Sequence, residues 1–572
     1  MSRQSLKHRP LCRMNYRGRR SFRPLVERLE TRLAPANVDV LSYHYDLSLT
    51  GQNLQEDVLH PGPASDPTAL NATNFGTLFS QPIDGQAYAQ PVYKANLPIP
   101  GMGTHNVAFL ATEHDGVYAF NADSPTGGDP MNPGRFWYRS FIDPANGITT
   151  IPFQELSTPD IYPEIGITGT PVIDGGTSTL YVVVKTREVR SSVVHYVQKL
   201  HALDLATGAD RANSPYTIGD TVFLSGGRYT DTSEIYVLGA GGGSIMVGGQ
   251  SRVYFNAGRE NNRAALQLVG NELFIAFASH ADFRPYHGWV LGFDTTTTTL
   301  QPNKVFNTSP NADGVAIWES GGGMSVDDKG NLFFAVGNGF SGPNSAFDPA
   351  HGNYSESVLK IDPTPNWTPS DPQMMRVADM GRGYFTPFNW QQLDSQDADL
   401  GSGGVLQLPD AVGSPDHPHL IIETGKQGKI YLIDRDDMGQ NVPPPGPDRV
   451  VQTVTAGQTG VWGNPAFFQT SPTTGIIYYH GSGDVLKGYI ITNGHIDDIP
   501  AHILRSAFSS RFPGEQPSIS ADGISDPKNP VNGIVWELQV DNAAGRIQGV
   551  GDRVVAGPAT LRAFSATDFT TV

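Results

Sequence analysis

One unit recurs along this chain from about residue 75 onward, and it limits the fold more than any other feature. It consists of a small-residue turn with Pro, an alternating apolar strand, a polar turn, and a second strand closed by an aromatic or aliphatic pair and Asp. The clearest copy runs Gly169-Thr170-Pro171-Val172-Ile173-Asp174, then Leu180 to Val184, then Leu200-His201-Ala202-Leu203-Asp204 with its Thr207-Gly208 turn. An earlier copy ends at Asn121, and later ones end at Asp294, Asp362, Asp434, Ile490 and Ser565. These seven anchors are 83, 90, 68, 72, 56 and 75 residues apart, about 74 on average. A four-stranded propeller blade needs about 40–50 residues, so each unit carries a long inserted loop. Period-2 strands separated by Gly, Asn, Asp and Pro turns predict antiparallel blades, because βαβ units need helical patterns between strands. A single blade cannot cover both its faces and must stack on neighbours around an axis. The predicted fold is therefore an all-β propeller of seven to eight four-stranded blades.

Composition supports this reading. Gly 64 and Pro 44 of 572 residues, with only 17% charged residues, do not fit coiled coils or helical solenoids. A single ordinary core stops growing near about 250–300 residues, whereas a ring grows by adding blades. Asp327-Asp328-Lys329-Gly330-Asn331 and Lys426-Gln427-Gly428-Lys429 read as hairpin connections. Gly239–Gly249, Asn441–Pro447 and Asp522–Pro530 read as rim insertions, because the repeat resumes after each. No run of 18 apolar residues exists, so no membrane-spanning helix is expected.

The chain divides by charge. Residues 1–36 hold ten Lys/Arg and two Glu, against 29 basic and 54 acidic residues in the rest. So acidic a body is a poor partner for nucleic acid. The lone Cys12 lies in the basic segment, which leaves the body without disulfide, thiolate metal site or catalytic Cys. The domain reading is 1–36 targeting or disordered segment, 37–70 lead-in, and 71–572 propeller. Arg19-Arg20-Ser21-Phe22-Arg23 has a twin-arginine flavour. Leu25 to Ala36 resembles the segment that opens many planctomycete extracellular proteins. The localisation that this resemblance implies is export to the periplasm, envelope or exterior.

The Ala202-x-Asp204-x-x-Thr207-Gly208 turn resembles the blade motif of quinoprotein (pyrroloquinoline quinone, PQQ) alcohol dehydrogenase-like propellers. Gly85 to Pro91, Thr112 to Phe120, Pro163 to Pro171 and Tyr286 to Val290 are similar to a group of bacterial secreted repeat proteins of that kind. The resemblance spans nearly all of 71–568. It implies a Trp at each blade end stacked on the next blade, a place that only Trp137 fills here. It also implies a further repeat after Gly557 to Ser565, hence the count of seven to eight. Thr77-Leu78-Phe79-Ser80 is the expected strand from the chain start that closes the last blade. For activity the resemblance implies PQQ and Ca²⁺ at the axis with an Asp base, in an oxidoreductase acting on an alcohol or sugar. The paired Cys or haem module found in such dehydrogenases is impossible with one Cys.

Read from the residues, the axial and top-face candidates are His114, Asp115, Glu164, Lys185, His280, His287, Trp318, Asp399 and Lys426. Histidines from different blades can converge on an axis, and Glu164 and Lys185 could face each other there as an opposed pair. Asp394, Asp397 and Asp399 form an acid cluster that could hold Ca²⁺, although ordinary polar turns explain such clusters equally well. Asp434, Asp436 and Asp437 form a second. Ser320 and Ser402 lack the strand-to-helix elbow of a hydrolase nucleophile. The expected activity is an exported binding module for a small molecule, carbohydrate or protein, with the PQQ/Ca²⁺ oxidoreductase as the alternative.

Overall fold

The computed structural model describes residues 38–570, apart from 64, 72, 157–159, 225–228, 232, 456–458 and 541–558. The basic targeting segment of the sequence reading lies outside the described residues. Among the described residues seven blade sheets, built on antiparallel neighbours, follow one another along the chain, with five smaller sheets in the connections. Their first strands are Val92–Ile99, Val172–Asp174, Gln267–Val269, Ser325–Val326, Leu406–Gln407, Ala466–Ser471 and Ser518–Asp522. In each blade the third strand contains or ends at the repeated anchor, as at Gly116–Asn121, Val193–Asp204, Trp289–Asp294 and Val358–Asp362. The anchor Asp works as a turn former: Asp204 Oδ1 accepts the N–H groups of Ala206 and Thr207, and Asp294 Oδ1 that of Thr296.

Blades adhere face to face through apolar side chains that alternate along their strands. Val107, Phe109 and Val117 of the first blade meet Leu180, Val182 and Leu203 of the second. Tyr181, Val183 and Leu200 of the second meet Phe277, Trp289 and Leu291 of the third. Similar clusters join third to fourth, fourth to fifth, fifth to sixth and sixth to seventh. Trp137 on the first blade lies over the second blade's Asp204–Gly208 turn. Its Nε1 donates to Leu205 O at 2.9 Å, and a Cβ on Gly208 would come within 2.6 Å of the ring.

The lead-in supplies a central strap. Residues 40–51 wind around the axis and offer carbonyls to the inner strand of one blade after another. Ile173, Val326, Gln407, Phe467 and Ile519 donate their N–H groups to Leu41, Leu47, Ser48, Thr50 and Gly51, at 2.7–3.0 Å. Val40 exchanges both backbone hydrogen bonds with Tyr93, while Tyr43 and Leu49 are packed on Ala265. All seven blades therefore touch this strap. Bending so tightly puts His44, Tyr45, Leu49 and Gly51 at positive φ, a cost that dense hydrogen bonding offsets.

Closure of the last blade is also corrected. Gln52–Asn53 pairs in parallel with Ile519 and Ser520, whereas 77–80 forms no strand and Leu78 is exposed. The expectation failed because a short apolar run cannot reveal which edge it pairs with. From the axis the chain crosses the seventh blade, where Leu59 and Leu70 cover Ile534 and Ala563. It then reaches the first, where Asp84 accepts from Thr112 Oγ1 and Tyr138 OH.

Candidate functional site at the propeller axis

Each blade is joined to the next by a loop running from its outer region to the following inner strand. These crossing loops form a belt around the axis. Gln90 N donates to Thr170 Oγ1, Leu266 N to Thr170 O, and Ala265 N to Gly322 O. Ser320 Oγ donates to Ser402 O at 2.6 Å and Ser402 Oγ to Val461 O at 2.7 Å. Gln516 Nε2 reaches Ser320 O, and Tyr43 OH donates to Gln516 Oε1. The glycines are needed for close approach: a Cβ on Gly322 or Gly404 would fall 1.8 or 2.1 Å from Asn464 Oδ1. Tyr43 and His44, stacked 4.2 Å apart, cap this belt.

Five buried glutamates line the crossing loops and the strand ends beside them: Glu113, Glu260, Glu319, Glu356 and Glu423. Four share one device, in which a carboxyl oxygen accepts a backbone N–H. Gly166 N donates to Glu113 (2.7 Å), His287 N to Glu260 (3.4 Å), Ala335 N to Glu319 (2.8 Å) and Leu400 N to Glu356 (2.7 Å). The other oxygen of each is buried outside hydrogen-bonding geometry, as are both oxygens of Glu423. Burial disfavours their charge and is the main cause of their raised pKa values: Glu113 is pushed up to about 7, and the other four well above the ordinary range. Burial thus favours the protonated form of these carboxyls, which can both donate and accept.

The sequence candidates fall into two banks. In the first, Lys185 Nζ donates to His280 Nε2 at 2.7 Å and to Glu260 O at 2.8 Å. Burial lowers Lys185 to about 7, and burial followed by the Lys185 charge lowers His280 well below its usual value. With Nε2 accepting, the His280 proton sits on Nδ1, which has no partner. Asp115, fully buried beside Glu113, is raised by burial first and that neighbour second. The opposed Glu164–Lys185 pair does not form. Glu164 accepts from Thr150 Oγ1 and meets His114 Nδ1 at 2.9 Å, because its short strand pairs with Ile151–Pro152. His287 is held by Ser309 Oγ and Gly242 O, which occupies both ring nitrogens.

The second bank holds Asp399, Lys426 and Trp318. Lys426 Nζ lies 2.6 Å from Asp399 and 3.2 Å from Asp397. Burial opposes its charge, but the two carboxylates outweigh burial and raise its pKa. Asp399 Oδ1 and Trp318 both crowd Gly337, each 2.9 Å from a Cβ built there. Asp394 turns away to Gly339 N and Ser355 Oγ. The Ca²⁺ expectation for Asp394, Asp397 and Asp399 does not fit this arrangement, since an ammonium already neutralises two of the three. Among the described residues no three His, Cys, Asp or Glu side chains converge with ligating geometry. Asp434 and Asp436 are likewise engaged, with His417 and His419. For PQQ, a tricarboxylate, the cations of this wall are Lys185, Arg263 and Lys426, of which Lys426 is already held by Asp397 and Asp399. Aromatic faces complete the mouth. Tyr88, half-exposed beside Glu113 and Arg263, stands at the first bank, while Trp462 and the exposed Phe512 pair at 5.0 Å near the second.

Sequence reasoning missed the glutamates as a set. Glu113 and Glu319 sit inside motifs it singled out, but the five share no common flanking residues or strand position in the sequence.

No protein-family model matches the chain, and no curated protein matches it. Solved structures similar to it include a quinohemoprotein alcohol dehydrogenase from Pseudomonas putida HK5, 12% identical over 93% of this chain and 71% of that one, with TM-score 0.47. A second, from Comamonas testosteroni, is 12% identical over 94% and 73%, with TM-score 0.47. A europium-containing methanol dehydrogenase is 9% identical over 93% and 77%, with TM-score 0.44. At such identities and TM-scores none of them assigns a chemistry to this chain.

Proposed function

We propose that this propeller binds a neutral, polyhydroxylated ligand of carbohydrate type at the mouth of its axis. The observation that carries this reading is the set of five buried glutamates whose charge burial disfavours, beside the aromatic faces of Tyr88 and Phe512. A protonated carboxyl donates and accepts at once, which matches the paired hydroxyls of a sugar, and buried polar atoms without partners call for a ligand or water. Tyr88 and Phe512 offer apolar faces to sugar C–H groups, a usual division of labour in ligand sites. The alternative, PQQ- and Ca²⁺-dependent oxidation of an alcohol or sugar, finds no cluster of carboxylates with ligating geometry among the described residues, and Lys426 already sits between Asp397 and Asp399. Export to the periplasm or exterior remains part of this proposal, resting on the character of residues 1–36.

Affinity electrophoresis through gels containing soluble xylan, laminarin, dextran or pectin tests the reading, beside titration with PQQ plus Ca²⁺. Retardation by at least one glycan, weakened about tenfold in Tyr88→Ala or Phe512→Ala, is the expected result. Saturable PQQ binding with no glycan retardation overturns it.

A further inference from the structure

Of the cations on the axial wall, Lys185 and Lys426 are spent and Arg263 is not. Lys185 Nζ donates to His280 Nε2 and to the carbonyls of Glu260 and Gly258, and Lys426 sits between Asp397 and Asp399. Arg263 belongs to the crossing loop that enters the third blade at Gln267–Val269. Its side chain makes no hydrogen bond and no ion pair with any described residue. Nε is packed away, whereas the residue as a whole is partly exposed and its two terminal nitrogens reach solvent. Such an open fork of N–H groups binds a carboxylate through two parallel hydrogen bonds.

Two observations indicate what that acceptor is. The first is that the wall does not supply it. Tyr88 and Glu113 are the groups whose charges act on the guanidinium. Glu113 gives one oxygen to Gly166 N at 2.7 Å, and burial pushes its pKa up to about 7, which makes it a weak counter-ion. Glu164, the more accessible acid of this bank, is taken by His114 and Thr150. The second observation is Tyr88 itself. Its hydroxyl donates to Gln86 Oε1 at 2.7 Å, which orients the ring, and the residue is 48% exposed. A carboxylate held by Arg263 therefore stands beside an open aromatic face. That pairing suits a sugar acid, whose ring C–H groups cover the face while its carboxylate meets the guanidinium.

We propose that Arg263 and Tyr88 form a uronate subsite at the axial mouth, Arg263 holding the carboxylate of an acidic sugar residue and Tyr88 carrying its ring. This rests on the carbohydrate reading of the mouth and adds one acidic residue to an otherwise neutral glycan.

The test is ligand-observed NMR titration of the full chain with D-galacturonate, its methyl ester, D-galactose and benzoate. Galacturonate should bind about tenfold tighter than galactose, and the uncharged ester should bind like galactose. Benzoate, a flat carboxylate without hydroxyls, should bind no tighter than galactose. Added NaCl should erode the advantage of galacturonate alone. Arg263→Gln should bring the ratio of galacturonate to galactose affinity to about one. The guanidinium has no protein partner to lose, so this variant should melt at the wild-type temperature. Tyr88→Ala should weaken all three sugars together. The proposal is overturned if galacturonate has no advantage over galactose, if folded Arg263→Gln keeps that advantage, or if benzoate matches galacturonate. Failure of every sugar to bind overturns the carbohydrate reading as well, whereas binding of galactose and the ester with no advantage for galacturonate overturns the uronate subsite alone.

Discussion

Glu113 and Lys185 make the axis sensitive to pH in opposite senses. Glu113 ordinarily titrates near 4.5 and rises to about 7 when folded, so between these values the native state holds a proton the unfolded chain has lost. Stability therefore falls as pH rises through that window, by up to about 1.4 kcal/mol per unit. Lys185 ordinarily titrates near 10.5 and drops to about 7 when folded, so above 7 the unfolded chain holds the extra proton and stability climbs again. Urea titrations across pH should give a minimum near 7 for this pair. Glu113→Gln should flatten the acidic limb and Lys185→Met the alkaline one; an unchanged profile in either variant defeats the assignment. Such pairings were only half legible in the sequence. Lys185, His280, Asp399 and Lys426 are the kinds of residue that axes use, and their types were readable. That Lys185 would meet His280, and Glu164 would meet His114, depends on which blades bring their strand ends together. The glutamates escaped because a single Glu at a strand end or in a turn reads as a solvated group, and its burial comes from segments distant in sequence.

At the scale of elements, the apolar junction of the first and second blades is closed by one aromatic docked on one turn. Gly208 has φ 70°, where L residues are strained, and no room for a Cβ beneath Trp137. Trp137→Ala should cost about 2–3 kcal/mol by calorimetry, from lost packing and the lost bond to Leu205 O. Gly208→Ala should cost a similar amount alone. In the Trp137→Ala background its cost should shrink to the backbone strain of about 1–2 kcal/mol. Strict additivity would mean that the two do not touch. This contact was legible, because Trp137 follows a turn and the Asp204–Gly208 motif offers a glycine seat. Blade strands were legible for a similar reason, since alternation, Asx turns and glycines act locally. Pairings made by the lead-in were not, because Gln52–Asn53 bonds a strand more than 450 residues away and carries no periodic signal.

The whole ring depends on its strap. Propeller blades stack pairwise, so each interface is local, yet residues 40–51 tie the inner strands of distant blades to one continuous segment. Five strap carbonyls bond five different blades, and a net hydrogen bond contributes about 1 kcal/mol, with burial of Tyr43 and Leu49 added. Leu49, fully buried at the axis, is the single residue whose truncation best reads this linkage. Leu49→Ala should lower stability by about 2–5 kcal/mol, as for other core leucines. Because the strap joins every blade, the loss should come as one cooperative transition at a lower temperature. A seventh-blade reporter such as Trp536 and a far-ultraviolet signal for all blades should still coincide. Separation of the two curves would instead mean that the blades melt independently and that the strap is a passenger. A chain lacking residues 1–55 sharpens the contrast: it should lose cooperativity and regain it when a peptide of residues 38–55 is added, since the acceptors for all five inner strands return together.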